Sequence, residues 1–148
     1  MEQVNETLLK SWLKLSSSVI NPRVVAELTY KESHVCHILY HSYLSDPQKH
    51  MTATDLCAQT KMLKSQMNRT LNLLEEKGII TRTRSEQDKR QVYVVMNWEG
   101  ADKYRVQHER ILKLVDGIIE RLGEEQAGQT AQLMSRIADI ADDLLSGK

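Results

Sequence analysis

Between Gly78 and Gly100 the chain changes its period, and that change limits the fold more than any other feature. On either side, apolar residues recur every three or four positions, which is helical spacing. Inside, Ile79-Ile80-Thr81-Arg82-Thr83-Arg84 and Gln91-Val92-Tyr93-Val94-Val95-Met96 are rich in β-branched and aromatic residues. Six polar residues, Ser85 to Arg90, separate the two runs. The pattern predicts one β-hairpin with a charged tip, set in an otherwise helical chain.

The helical stretches divide at turn signals. Val4, Leu8, Trp12, Leu15 and Val19 make one stripe on a first helix that should end near Asn21-Pro22. A second helix runs from about Tyr30 to Leu44, with Val35, Ile38, Leu39 and Ser42 on one face, and Asp46-Pro47 marks a turn. Thr52 with Asp55 resembles a capping box. It starts a short third helix to about Thr60 that buries Leu56 and Cys57, with Ala58 at the margin. After Lys61-Met62 a fourth helix spans Leu63 to Lys77, with Met67, Leu71 and Leu74 inward and Gly78 as its stop.

Beyond Gly100 the apolar faces are too wide for a surface helix. Ile111, Val115, Ile118 and Leu122 are widened by Leu112 and Ile119 in the fifth helix. In the sixth, Leu133, Ile137, Ile140 and Leu144 are joined by Met134, Ala138, Ala141 and Leu145. A monomer would leave much of this surface wet, and a symmetric dimer would bury it.

The chain has 148 residues, enough for one domain or a small domain with an oligomerisation arm. Its 20 basic and 20 acidic side chains balance, but unevenly along the chain. Lys61 to Arg90 holds eight basic and four acidic residues, whereas Glu120 to Lys148 holds three and six. The middle is built to meet an anion, and the end is not. No run approaches the length of a membrane span. Met-Glu-Gln-Val-Asn-Glu lacks the regions of a signal peptide, and Cys36 and Cys57 suit a reducing compartment. A cytoplasmic protein with no membrane partner is expected.

Two short helices with a tight joint, a helix ending in Gly and a basic hairpin form a winged helix-turn-helix. The major groove of DNA admits one α-helix, whose N-terminal side chains reach base edges. Here those positions are Lys64, Ser65, Gln66, Asn68 and Arg69. Gln and Asn pair with adenine, Arg and Lys with guanine, and Ser with several bases or a phosphate. Arg84, Lys89 and Arg90 place cations on the hairpin for a phosphate backbone or a narrow minor groove. Asp88 lies two residues before Arg90 and is expected to brace its guanidinium.

Leu73-Leu74-Glu75-Glu76-Lys77-Gly78-Ile79-Ile80, followed by Asp88-Lys89-Arg90-Gln91-Val92-Tyr93-Val94, resembles the MarR family of bacterial transcription regulators. The resemblance implies an intertwined helical homodimer with a mainly α fold, a small β-hairpin wing, and joined first, fifth and sixth helices. It implies a dimerisation helix over 1–29, a winged DNA-binding lobe over 30–100 and dimerisation helices over 101–148. It also implies that Arg90 is the wing-tip arginine, Asp88 its bracing acid, and Lys64 to Arg69 the start of the recognition helix. Two departures stand out. Leu63 occupies a place where the family often has a Ser or Thr cap, and Asn97-Trp98-Glu99-Gly100 replaces Leu-Thr-x-x-Gly after the wing.

The expected function is therefore a sequence-specific double-stranded DNA-binding regulator, a repressor relieved by an effector, acting on a pseudo-palindromic operator. The alternatives are a winged-helix protein-interaction module and a metal sensor. For the latter, His34, His37 and His41 share one helical face, and a tetrahedral site would need a fourth group such as His108. The favoured reading is that these histidines border the dimer interface and hydrogen-bond there, without metal. Peroxide-sensing relatives keep a reactive Cys in the first helix, where this chain has none, so both cysteines are read as structural. By the same resemblance, Trp12, Tyr30, Tyr40 and Tyr43 are candidates to line an effector space between the dimer helices and the DNA lobe. No cofactor is expected. No Ser-His-Asp order, phosphate-cradling Gly loop or catalytic carboxylate pair suggests an enzyme.

Overall fold

A computed structural model describes residues 2–19 and 27–147. In chain order the elements are α1 (Glu2–Val19), α2 (Tyr30–Ser45), β1 (Met51–Thr52), α3 (Ala53–Thr60) and α4 (Lys64–Glu76), then β2 (Ile80–Arg84), β3 (Val92–Met96), α5 (Ala101–Leu122) and α6 (Glu124–Leu145). The backbone forms two compact units, Met1–Glu109 and Arg110–Lys148. The Asn21-Pro22 stop expected for the first helix lies outside the described residues.

In the first unit, α2, α3, α4 and the sheet enclose one core. It contains Leu28, Val35, Cys36, Leu39, Leu56, Met67, Leu71, Leu74, Ile79, Ile80 and Tyr104. The inward stripe of α4 is as expected, and Thr70 joins it. Of the expected α2 face, Val35 and Leu39 are buried while Ile38 and Ser42 are half-buried. Ala58 is exposed, because an eight-residue helix turns only a narrow arc inward and Leu56 already fills it.

The wing is a three-stranded antiparallel sheet in the order β1-β3-β2, not the hairpin alone. Met51 pairs with Val94 and Thr52 with Tyr93. Two residues are too few to carry a period, which is why β1 leaves no trace in the sequence pattern. Thr52 then serves α3 as N-cap: its hydroxyl accepts from the Asp55 N–H at 3.2 Å, and Asp55 returns the bond at 2.9 Å. The same reciprocal box, Thr29 with Glu32, opens α2.

Two glycines fix the passage from helix to wing. Gly78 sits at φ +74°, and the Ile79 N–H donates to the Leu74 carbonyl while the Gly78 N–H donates to Glu75. These two bonds make a Schellman ending, in which a left-handed residue satisfies the last carbonyls of the helix. Gly100 lies against that turn so closely that a Cβ would fall 2.1 Å from the Gly78 oxygen. The departure Asn97-Trp98-Glu99-Gly100 also serves this joint. Asn97 bonds to the Gly78 carbonyl and to Thr81, and its backbone N–H donates to Ile79.

In the second unit, α6 buries none of its described residues. Gly123 at φ +97° makes the sharp joint that precedes it.

Candidate nucleic-acid interface

The N-terminal turns of α4 present the expected donors to solvent. Lys64, Ser65, Asn68 and Arg69 are exposed, whereas Met67 between them is fully enclosed. The helix starts without a hydroxyl or carboxylate cap, since Leu63 stands there. Gln66 fills part of that role: its Oε1 accepts from the Leu63 N–H at 3.1 Å. Gln66 is half-buried, and one of the two lone pairs of its amide oxygen is taken up by the helix start.

The wing tip is folded by its own polar groups. Ser85 is buried, and its hydroxyl accepts from the Gln87 and Asp88 N–H groups at 3.2 and 3.1 Å. Arg84 Nη1 donates to the Lys89 carbonyl at 2.6 Å. Asp88 does not grip the Arg90 guanidinium as expected. Its Oδ1 accepts from the Arg90 backbone N–H at 3.1 Å, an Asx turn, and among the described residues no ion pair joins the two side chains. The two-residue spacing favours this local bond, because a carboxylate reaches the backbone two positions ahead more directly than a long side chain. The acid shapes the loop, and Lys89 and Arg90 remain exposed at its end.

Several structural residues escaped the sequence reading. Glu32 is enclosed at 1% exposure, and both of its oxygens accept from Lys77 Nζ, at 2.8 and 3.0 Å. Lys77 also donates to the Glu27 carbonyl. Gln107 of α5 joins the same region by accepting from the Leu28 N–H and donating to the Leu28 carbonyl and Ser33 Oγ. The Thr-x-x-Glu spacing of Thr29 and Glu32 was a legible signal. Nothing in the sequence marks the long-range partners.

The histidines are not gathered into a metal site: among the described residues, no group of three His, Cys, Asp or Glu side chains is arranged to hold an ion. Instead His37 Nδ1 lies 3.1 Å from the Tyr104 hydroxyl, and its ring packs against His41 and His108 at 4.3 and 5.8 Å. Burial, followed by the neighbouring His41, His108 and His34, lowers the His37 pKa below its ordinary value. Burial, then the carboxylate of Glu32, pushes the Cys36 thiol up to about 12, which keeps it unreactive.

The four aromatic candidates do not share one space. Tyr40 and Tyr43 both pack on Trp98, with ring centroids 5.9 and 4.6 Å away. Tyr43 and Trp98 line a cavity of about 170 Å³ with Leu39, Ser42, His50 and Met51. Tyr30 instead faces His34, and Trp12 is exposed on α1.

A family model described as the MarR family matches residues 34–91. The HTH-type transcriptional regulator FarR of Neisseria gonorrhoeae is 32% identical over 92 residues, covering 62% of this chain and 63% of that protein. The chain thus spans less than two thirds of this curated relative's length. Among solved structures, the transcriptional regulator PA4135 superposes with a TM-score of 0.72 at 28% identity, covering 93% of this chain and 96% of that one. Streptococcus pneumoniae FabT, solved in complex with DNA, shares the fold with a TM-score of 0.69 at 23% identity, covering 97% and 98%.

Proposed function

We propose that the chain is a sequence-specific, double-stranded DNA-binding transcription regulator of the MarR type, a reading supported by the family model that matches residues 34–91. The observation that carries the proposal is the exposed donor set Lys64, Ser65, Asn68 and Arg69 on the opening turns of α4, with Lys89 and Arg90 exposed on the wing beside it. Lys and Arg contacts to phosphate supply salt-dependent affinity, and the α4 polar groups supply sequence choice. The bare apolar stripes of α1, α5 and α6 support a homodimer built by residues 1–29 and 101–148 around two DNA lobes over 30–100. Two copies then address a pseudo-palindromic operator, with recognition helices in successive major grooves.

Within this reading the protein acts in the cytoplasm as a repressor, without catalysis. A small-molecule effector relieves it by favouring a lobe spacing that does not fit the operator. No helix among the described residues is long and apolar enough to cross a membrane.

The test is a salt series on the duplex just upstream of the chain's own gene. The regulator should bind it more tightly than a scrambled duplex, with affinity falling steeply as salt rises. Arg90→Ala should weaken binding to both duplexes and reduce the salt slope by about 1. Equal affinity for the scrambled duplex, or no dependence on Arg90, would reject the proposal.

A further inference from the structure

Arg82 differs from every other cation of the wing. Its guanidinium turns back onto α4, where Nη2 donates to Asn72 Oδ1 at 2.5 Å and to Glu75 Oε1 at 3.1 Å. Its backbone N–H donates to Glu75 Oε2 at 3.1 Å, and Nε reaches the same oxygen at 3.5 Å. The strand β2 is an edge of the sheet, so one carboxylate caps a free backbone donor and holds the side chain of the same residue.

Asn68, Asn72 and Glu75 stand at i, i+4 and i+7, on one stripe of α4. Asn68 belongs to the donor set, so the clamp holds the far end of the reading face. Arg82 is also two residues from Arg84, at the base of the strand that leads to the wing tip. Glu75 and Arg82 are 41% and 28% exposed, and an ion pair in that setting adds little to stability. Its geometric consequences are larger. It fixes the direction of the wing against the helix, and it neutralises an acid on a face that must approach phosphate. It also turns the Asn72 amide, because an Oδ1 held by Arg82 leaves only the NH₂ end facing outward.

We propose that Arg82 is a positioning residue of the DNA interface, which through Glu75 and Asn72 sets the wing against the recognition helix and presents the Asn72 amide as an additional donor to acceptor atoms on DNA. This rests on the DNA-binding reading above. The sign of one substitution separates it from the simpler idea that Arg82 touches DNA. If Arg82 were a phosphate contact, Glu75→Gln would free its guanidinium, remove a repelling charge and strengthen binding. For a positioning clamp, the same substitution weakens it.

The experiment measures the full chain on its upstream duplex across salt. Glu75→Gln and Arg82→Gln should each cost about tenfold in affinity, with the salt slope of the unsubstituted chain retained. The double variant should lose no more than Arg82→Gln alone, since both remove one unit. The charge-swapped pair Glu75→Arg with Arg82→Glu should recover part of the loss. Unchanged thermal midpoints would show that each variant is folded. In the free protein, Arg82→Gln should also shift the Asn72 side-chain amide resonances. Tighter binding by Glu75→Gln, additive losses, or an unmoved Asn72 amide would overturn the clamp while leaving the regulator intact. An unsubstituted chain that cannot tell its duplex from a scrambled one would remove the regulator reading, and the clamp's role with it.

Discussion

Leu74 of α4 and Ile137 of α6 are both aliphatic residues on a helical stripe, yet Leu74 is fully enclosed and Ile137 is 43% exposed. The contrast extends to their neighbours. Met67 and Leu71 are enclosed with Leu74, whereas Leu133, Met134, Ile140 and Leu144 are exposed with Ile137. Both helices are amphipathic, so the pattern alone does not say which stripe a single chain can cover. The winged lobe completes its core within one chain. The Arg110–Lys148 unit carries an apolar surface of the kind that monomers rarely leave wet. Under the homodimer proposed above, the first stripe sets the stability of each lobe and the second sets assembly.

The strongest way to break this contrast is to place charge on the second stripe. Ile137→Asp with Ile140→Asp removes four aliphatic contacts from a two-fold interface, each worth roughly 1.5–3 kcal/mol. Light scattering or sedimentation should show a dimer becoming monomer at micromolar concentration, with the spectrum of a folded lobe retained. A dimer that survives would show that α6 does not hold it. Leu74→Ala should act in the opposite manner. It opens a cavity in a closed core and should cost about 2–5 kcal/mol in denaturant unfolding of the lobe. A loss that varied with protein concentration alone would erase the distinction between the stripes.

The inward stripe of α4 was legible because a helix with polar flanks has one apolar arc, and Met67, Leu71 and Leu74 fill it. The Thr52 box was legible because its partners are three residues apart. What the sequence hid is long-range or very short. Nothing local links Lys77 to Glu32, 45 positions away, or Gln107 to Leu28. Asp88 meets the expected neighbour through a different atom, since the backbone N–H of Arg90 competes with its guanidinium and is nearer. At the interface itself, the exposure of Lys64, Ser65, Asn68 and Arg69 follows from their places around buried Met67. The half-burial of Gln66 does not follow, because it depends on the missing cap at Leu63.

Smaller effects sharpen the lobe side of the contrast. Gly78→Ala forces a Cβ residue into φ +74°, where nothing crowds the added atom, so the cost is backbone strain alone, about 1–2 kcal/mol. Chemical denaturation should show that loss without a change in oligomeric state.

The smallest effect concerns His37, whose ring is held by Tyr104 of α5 against His41 and His108. Its pKa is lowered from 6.5 in the folded chain, so the unfolded chain takes up the proton first. The stabilisation is therefore complete above pH about 6.5 and is lost as the pH falls below that value toward the folded-state pKa. Unfolding free energy should decline slightly in that window, and His37→Gln should flatten the decline. Because His37 lies on the lobe, the slope should be the same at low and high protein concentration. A slope that appears only where copies associate would assign the histidine cluster, on the lobe surface, to the open stripe, and the line between the two regions would have to be redrawn through α2.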